Sequence, residues 1–467
     1  MRFEADTMTH KKPMTDCSEA ICFPFHRSRA VEVQFDAPEI SSNAGILLLR
    51  QVDGRIGLCA KVAACLTDTR DASRVSHDRV EQVRQRAFQI AMGYEDCNDA
   101  DTMRHDRVLN VACDRNIDAG GLSSQPTLSR FENAITGKEL NAIVNVLEQE
   151  YVNSLADDTR CVVLDIDSTA DKTHGQQQLT FFHGFYGRWM YHPLLVFDDD
   201  GELVTLLLRP GNAHGARGSR MMLTRVIRLI KKRFPEAQIV VRGDAAFSIP
   251  GLLDRVDALR DELGEVHYIV GIATNSRLLA LSAPARQTAA QWHGGGMGHV
   301  RHFDQFQYAA GTWSRSRTIV VKAEHSAYGE NPRFIVTSLD DIAPQTLYDV
   351  GYCARGHAEN RIKDFKNALF GDRLSCGKFV ANFFRLLLHA VAYRLMRTLR
   401  LSLAKVDPAL GALQFDSIRL RLLKVAAIVT QSARRFLVRL PIAFPLADVF
   451  RALARRLIVD TPELCTD

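Results

Sequence analysis

The sequence predicts an α/β fold in which a β-rich insertion interrupts the core and helical regions flank it on both sides. Residues 161–167 alternate in polarity and are β-branched, as expected of a buried strand. A basic amphipathic pattern over residues 215–234 and a second buried strand over 238–242 follow. Helical spacing of apolar residues dominates before and after this core. Together these patterns predict an open α/β sheet enclosed by helices.

The order of these patterns predicts the domain organisation, and 467 residues are enough for several domains. Strands are expected around 191–197, 203–209, 317–323 and 333–337. The predicted segments are a flexible arm (1–40), a helical DNA-binding region (41–157), the first part of the core (158–270), the β-rich insertion (271–345), the second part of the core with its glutamate helix (346–400) and a basic helical C-terminal region (401–467).

The glycine pair Gly120-Gly121 lies between two helical patterns of the N-terminal region. The second of these begins in a Ser/Thr-rich segment with a proline, residues 123–131, which is a helix start signal. This pattern is compatible with a helix-turn-helix, although an ordinary helical hairpin has the same appearance. Both interpretations remain open from the sequence.

The cysteine usage is that of a cytoplasmic protein, whereas the composition and charge do not by themselves establish a nucleic-acid partner. The net charge is only +5, but fourteen Lys/Arg against six Asp/Glu follow residue 378. Arginine suits bidentate contact with phosphate, although a helical bundle with a solvated basic face explains the same pattern. The ten cysteines lack CxxC spacing and are expected to be reduced thiols. Charged residues interrupt the apolar stretch 379–399, and the N-terminus lacks a signal-peptide pattern, so no membrane association is expected.

Three carboxylates occupy positions that suit metal chemistry. Asp167 ends the first buried strand and Asp244 follows the second, where open α/β sheets tend to bind ligands. Glu359 lies in a helical pattern that places it within a stripe of about 80°. The other residues of this stripe are Tyr352, Arg355, Lys363 and Lys366. Carboxylate oxygens bind Mg²⁺, and two such ions can activate a nucleophile and stabilise a leaving oxygen in phosphodiester chemistry.

Several other residues have two interpretations. Asp165 lies on the same side of its strand as Asp167, so either could face a metal, with the other as a buried hydrogen-bonded carboxylate. The acidic run 198–200 is expected to be a solvated hairpin turn. Trp313 could stack on a DNA base or belong to a core. The cations of the basic helix could follow a phosphate backbone or form a solvated face; they are Arg225, Arg228, Lys231, Lys232 and Arg233.

The segment 352–366 resembles a signature of the DDE transposases of bacterial insertion sequences, Tyr-x2-Arg-x3-Glu-x6-Lys. It matches at all four positions, Tyr352, Arg355, Glu359 and Lys366. The aspartate motifs over 164–169 and 242–247 are also similar to those of the family, as are residues 93–101 and 125–132. The resemblance covers roughly residues 40 to 400. The family motif places its ligand directly before Ser168-Thr169, which favours Asp167 over Asp165.

The resemblance implies a ribonuclease H-like core with a β-strand insertion before the glutamate, and the 115 residues between Asp244 and Glu359 (359 − 244) leave room for one. It implies catalysis with two Mg²⁺ ions, which Mn²⁺ can replace, held by Asp167, Asp244 and Glu359. Partners would be double-stranded DNA (terminal inverted repeats and target) and a second copy in a homodimer on DNA. The DNA-binding residues would be Tyr352, Arg355, Lys363 and Lys366.

Two other functions fit the same residues. A nuclease of the ribonuclease H superfamily would cut DNA without strand transfer. A DNA-binding repressor descended from a transposase would bind DNA without cutting it.

Overall fold

The computed structural model describes residues 21–459, apart from 24, 30 and 295–297, and shows a mixed α/β protein. The strands are β1 (Ile21–Phe23), β2 (Val31–Val33), β3 (Ile40–Ser41), β4 (Cys161–Ser168), β5 (Asp171–Lys172), β6 (Phe181–His183), β7 (Arg188–Tyr191), β8 (Leu194–Asp198), β9 (Leu203–Leu207), β10 (Gln238–Gly243), β11 (Val266–Ile272), β12 (Val300–Tyr308), β13 (Arg317–Ser326), β14 (Gly329–Glu330), β15 (Arg333–Thr337), β16 (Ala427–Gln431) and β17 (Phe436–Arg439).

The helices surround the central sheet and fill the N-terminal region. They are α1 (Ile46–Ile56), α2 (Leu58–Ala63), α3 (Arg79–Ala91), α4 (Ala100–Met103), α5 (Arg107–Ala112), α6 (Gln125–Asn133), α7 (Gly137–Ser154), α8 (Ser219–Arg233), α9 (Pro250–Leu263), α10 (Ser276–Leu281), α11 (Ala283–Gly294), α12 (Pro344–Thr346), α13 (Gly356–Lys363), α14 (Phe379–Ala404), α15 (Pro408–Gly411), α16 (Phe415–Ile418) and α17 (Ala447–Val459).

The central sheet has the strand order β12-β13-β15-β11-β10-β4-β8-β9, with β14 paired to β13. Strands β4, β10 and β11 run parallel, whereas β8, β9 and β15 are antiparallel to their neighbours. The predicted strands over 161–167, 203–209 and 238–242 are confirmed, and so is the basic helix, as α8. Because β4 and β10 are parallel neighbours, their carboxyl ends lie side by side.

Helix α14 joins the N-terminal helices to the sheet. It is long and apolar enough to cross a membrane by length and composition alone, but most of it is buried within the protein. Arg385 on α14 forms a buried ion pair with Glu132 of α6 at 2.8 Å, and Arg86 of α3 pairs with the same carboxylate at 2.8 Å. The two arginines hold the pKa of Glu132 down at about 2 in spite of its burial. This core helix therefore fixes the N-terminal helical region against the rest of the chain.

The structure corrects the expected insertion over 271–345. Residues 276–294 form helices α10 and α11, so this part is not strand-rich. The strands β13 and β15 do form where expected, but they extend the central sheet through β11 and do not build a separate β subdomain. The reason is that β15 finds a hydrogen-bonding partner in the otherwise open edge of β11.

Two further expectations about the ends of the chain differ from the structure. The C-terminal region is not entirely helical, because β16 and β17 form an antiparallel hairpin. Strand β3, from the predicted arm, pairs with β16, while residues 1–20 of that arm lie outside the described residues. Residues 427–431 and 436–439 each consist of three apolar residues followed by polar ones, and runs this short do not distinguish a strand from a helical segment.

The connection between α5 and α6 decides the helix-turn-helix question. It runs from residue 113 to 124, with Gly120 and Gly121 in the left-handed region, and is far longer than the three or four residues of that motif's turn. A connection of this length does not match a helix-turn-helix. The cysteines of the described residues are free thiols, as expected.

Candidate functional site

The carboxyl ends of β4 and β10 hold Asp167 and Asp244 next to each other. Gly243 of β10 is in register with Ile166 of β4, so each aspartate is one residue further along its own strand direction. Asp167 accepts a hydrogen bond from the Ser168 backbone N–H at 2.7 Å. Asp244 caps the short 3-10 turn after β10 and accepts from the Ala246 N–H at 2.9 Å. Local backbone donors thus orient both carboxylates at one edge of the sheet.

Electrostatics indicate that Glu359 belongs to the same group of acids. Burial raises the pKa of Asp167 to about 6, and the nearby charges of Asp244 and Glu359 add to this rise, whereas Arg355 opposes it. Like charges disfavour ionisation of a neighbour only when they lie close together. The charges of Asp244 and Glu359 therefore both act on Asp167, and negative charges grouped in this way favour a bound cation.

Arg355 supplies positive charge within this group. Its Nη1 lies 3.6 Å from Oδ2 of Asp167, and its guanidinium lies over the ring of Tyr352 at 5.9 Å from the centroid. Across the part of the chain that the structure describes, no three His, Cys, Asp or Glu side chains are close enough to hold a metal ion as they stand. The three carboxylates nevertheless fit hard divalent cations chemically, because they offer only oxygen donors in a partly buried, like-charged group.

Asp165 lies in a different environment from Asp167. It is completely buried, and Arg242 donates to it through Nε at 2.7 Å and Nη2 at 2.9 Å. Arg361 of α13 pairs with the same carboxylate at 3.2 Å. Two guanidinium groups thus occupy its oxygens, which leaves Asp167 as the aspartate of β4 that is open to a ligand. This outcome agrees with the interpretation of Asp165 as a buried, hydrogen-bonded carboxylate.

The ion-pair cluster Asp165–Arg242–Arg361 also ties together the segments that carry the three acids. Each member lies two residues from Asp167, Asp244 or Glu359 along the chain. Arg242 additionally donates to the Gly351 carbonyl at 2.9 Å, next to Tyr352. The cluster therefore fixes β4, β10 and α13 relative to one another directly behind the site.

The segment 352–366 is not the regular helix that the predicted stripe assumed. A π-helical turn (Leu347–Tyr352) is followed by a 3-10 turn (Cys353–Arg355), by α13 and by a second π-helical turn (Asp364–Ala368). A stripe calculated at 100° per residue is therefore wrong in detail, because π turns insert extra residues into each turn. Tyr352 instead reaches β11, where a Cβ on Gly271 would lie only 2.6 Å from its hydroxyl.

The two lysines of the stripe have different surroundings. Lys366 donates to Thr169 Oγ1 at 2.9 Å and to the Ala170 carbonyl at 2.7 Å, and it lies 3.3 Å from Asp171. Burial raises the pKa of Asp171 to about 7 although Lys366 lowers it. Lys366 thus holds the chain that leaves Asp167. Lys363 is exposed on α13.

The expected hairpin turn after β8 is confirmed, and Asp199 and Asp200 are exposed as predicted, but Asp198 is not solvated. Asp198 is buried, and burial raises its pKa to about 7. Its carbonyl and that of Asp199 accept hydrogen bonds from Arg361, and Arg397 of α14 binds the Asp200 carbonyl. The turn is held by arginines that the sequence pattern could not assign to it.

Contacts within the protein bear on Trp313 and on the cations of α8. Trp313 is half-buried and packs edge-on against Tyr308, with their ring centroids 5.4 Å apart, which favours the core interpretation. On α8, most of the cations are bound to protein groups. Arg225 pairs with Glu148, Arg228 with Glu262 and Arg233 with Asp157, Lys231 binds the Pro235 carbonyl, and Lys232 is exposed.

Tyr186 and Arg209 lie at the site and were missed. Burial raises the pKa of Tyr186, and the charges of Asp167 and Asp244 raise it further. Arg209 is buried and donates to the carbonyls of His192 at 2.6 Å and Gly215 at 2.6 Å. Neither residue lies in a motif with characteristic spacing, so the sequence offered no signal for them.

A mixed α/β protein with acidic side chains grouped at the ends of parallel strands belongs to a class that suits metal-assisted phosphoryl transfer. The model of the family described as "Transposase DDE domain group 1" matches residues 23–460, and the chain belongs to this family. Members of the family generally depend on divalent metal ions. No curated protein matches the chain.

Among solved structures, the chain is similar to the piggyBac transposase in a synaptic complex with hairpin DNA. The sequences are 12% identical, the TM-score is 0.41, and the match covers 91% of this chain and 86% of that one. It is also similar to the Mos1 transposase in a paired-end complex with the left transposon end. There the identity is 14%, the TM-score 0.17, and the match covers 49% of this chain and 68% of that one.

Proposed function

We propose that this protein is the transposase of a bacterial insertion sequence, which cuts the ends of its element and joins the 3′-hydroxyls to target DNA. The proposal extends family membership to a defined reaction. Its substrates are the terminal inverted repeats and target DNA, and it acts as a homodimer on DNA in the cytoplasm, at the nucleoid. Asp167, Asp244 and Glu359 hold two Mg²⁺ ions, which Mn²⁺ can replace.

The observation that carries this proposal is that Asp167 and Asp244 lie side by side at the carboxyl ends of two parallel strands, with Arg355 3.6 Å from Asp167. Glu359, on the helix that begins at residue 356, adds its charge to that of Asp244 at Asp167. The strand order β9-β8-β4-β10-β11, with three parallel strands beside two antiparallel ones, supports a ribonuclease H-like core.

The chain's own residues have distinct roles in the proposed reaction. The bound ions would activate the attacking oxygen and stabilise the leaving oxygen. Asp167 and Asp244, oriented by backbone N–H groups, provide fixed ligands, and Glu359 closes the site from α13. Arg355, whose guanidinium pairs with Asp167, is placed to bind a phosphate oxygen. Lys366 keeps the loop after Asp167 in position, and exposed Lys363 contacts the DNA backbone.

A gel assay tests the proposal with labelled DNA from the flanks of the coding region, a target plasmid and Mg²⁺. Asp167→Asn, Asp244→Asn and Glu359→Gln are each expected to abolish nicking and joining while DNA binding persists. Asp158→Asn is the matched control, because Asp158 is exposed and precedes the opposite end of β4. Nicking without joined product would indicate a nuclease, and binding without metal-dependent nicking a repressor.

A further inference from the structure

The hairpin of β1 and β2 has one face that consists only of apolar side chains. Ile21 lies opposite Val33 and Phe23 lies opposite Val31, and directly opposed residues of an antiparallel pair share a face. Ile21 is 48% exposed, Phe23 42% and Val33 36%. Among the described residues, no third strand pairs with this hairpin. Because a two-stranded hairpin is marginally stable in water at best, an uncovered apolar face on it indicates a surface that binds a partner.

The segment that joins this hairpin to the rest of the protein is also exposed. Residues 34–39 connect β2 to β3 and, when extended, reach about 20 Å. Strand β3 anchors the segment, because it pairs with β16. Phe25 (74% exposed) and Phe35 (85%) add to the apolar surface, and the ring centroid of Phe25 lies 6.1 Å from that of Phe23. The described residues of the chain therefore leave the apolar surface of the hairpin uncovered while they hold its base in place.

We propose that the apolar face of this hairpin packs against the same face of a second copy of the chain. A face without charge is complementary to itself, as the two-fold contact of a homodimer requires. The face offers no cation to a phosphate backbone, which makes DNA an unsuitable partner for it. This inference rests on the proposed function, because it assigns a contact surface to the proposed homodimer.

The area of this surface is sufficient for a dimer contact. Three phenylalanines with their aliphatic neighbours expose roughly 500 Å² of apolar side chain on each copy. Two copies packed together would bury roughly 1,000 Å², which is the lower limit for a specific interface. We therefore expect a weak dimer in the absence of DNA.

Neighbouring residues of β2 provide a matched pair of substitutions. Val33 lies on the apolar face, whereas Glu32, opposite Cys22, lies on the other face of the hairpin. Both residues are exposed, so a lysine at either position disturbs no core. Val33→Lys places a charge inside the proposed contact on both copies at once. Glu32→Lys places the same side chain outside the contact.

Sedimentation velocity of the full-length protein, without DNA and with EDTA, measures the equilibrium between monomer and dimer. The wild type is expected to dimerise with a dissociation constant of about 1–10 μM. Val33→Lys should raise this constant by at least about a hundredfold, whereas Glu32→Lys should match the wild type. An equal mixture of Val33→Lys and Val33→Glu should regain the dimer, because opposite charges then meet within the contact. Far-UV circular dichroism identical to that of the wild type would show that each variant retains its fold.

These outcomes separate the inference from the proposed function. A wild type that stays monomeric up to about 100 μM, or a Val33→Lys variant that dimerises like the wild type, overturns the inference. A mixture of the two Val33 variants that stays monomeric also overturns it, since the face then does not pack on itself. If the wild type dimerises through the hairpin but neither cuts nor joins end DNA, the proposed function fails and the inference stands.

Discussion

Asp165→Asn and Asp167→Asn, two residues apart on one strand, are expected to change the free energy of unfolding in opposite directions. Asp165 is completely buried between two arginines, whereas Asp167 is a partly exposed acid among other acids. The comparison is sharp because both substitutions are isosteric and both remove one negative charge from the same strand.

For Asp165→Asn we expect a loss of about 3–5 kcal/mol, the cost of removing one partner from a buried ion pair. The side chains of Arg242 and Arg361 are only 6% and 11% exposed, so water cannot replace the lost carboxylate. An asparagine can still accept one hydrogen bond, but it cannot neutralise two guanidinium groups.

For Asp167→Asn we expect a gain of about 1–3 kcal/mol at pH 8 without metal. The pKa of Asp167 rises from 3.8 to about 6 on folding, and two pKa units correspond to about 3 kcal/mol. Because the folded pKa is the higher one, the stability contributed by this group is present below about pH 4 and lost as the pH rises through 6. The expected gain in stability is smaller than 3 kcal/mol, because Arg355 loses its ion-pair partner in this variant.

Urea unfolding followed by circular dichroism at pH 8, with EDTA present, measures both changes. Wild-type stability in Asp165→Asn would refute the role given to the buried cluster. A loss in Asp167→Asn as large as that in Asp165→Asn would show that Asp167 is a structural acid and remove it from the proposed metal site.

Three further predictions concern the metal, the lysine behind the site and the buried pair at α14. Mg²⁺ is expected to raise the Tm of the wild type more at pH 8 than at pH 5.5, because Asp167 must lose its proton before it can bind the ion. Equal increases in Tm at the two pH values would contradict this. So would an increase in the Tm of Asp167→Asn as large as that of the wild type. Lys366→Met should destabilise the protein by about 1–3 kcal/mol, and by more at pH 8.5 than at pH 6. In the wild type, Asp171 ionises above about pH 7 beside Lys366, and the variant loses the cation that stabilises this charge. Shifts of the urea midpoint that do not depend on pH would contradict this. Glu132→Gln should lower the free energy of unfolding in urea by about 3–5 kcal/mol, because Arg385 loses its buried partner. A decrease below about 1 kcal/mol would show that this ion pair does not hold the N-terminal helices.

The sequence was sufficient for the strands of the core and for the acids that follow them. Strands β4 and β10 are short and rich in β-branched residues, and this length and composition favour a strand over a buried helix. The position of an acid at a strand end is a local feature that needs no knowledge of the fold. The distinction between Asp165 and Asp167 was less secure, because both lie on one side of β4 and it rested on the resemblance alone.

Features that depend on distant partners could not be predicted. The turn after β8, which contains the buried Asp198, is held by Arg361 and Arg397, both far along the chain. Likewise, β3 and β16 pair across almost the whole length of the sequence, and neither strand is long enough to be recognised alone. The π-helical turns around Tyr352 have no sequence pattern of their own, since the same residues fit a regular helix.

Alternate residues of the same elements have different roles: those of the buried cluster stabilise the fold, and those of the acidic site are the proposed metal ligands. Residues two apart on a strand face the same side of the sheet, so Asp165 lies directly behind Asp167. The ion pair between Asp165 and Arg242 stabilises the end of β4, where the charged form of Asp167 lowers the stability of the fold. The raised pKa of Asp167 opposes folding at neutral pH, and neighbouring contacts have to outweigh this cost. The arginines of the cluster provide those contacts without approaching the carboxylates of the site. If these arginines paired with Asp167 itself, they would compete with a metal ion. If their partner acid stood one residue earlier or later on β4 than Asp165, its side chain would face the other side of the sheet.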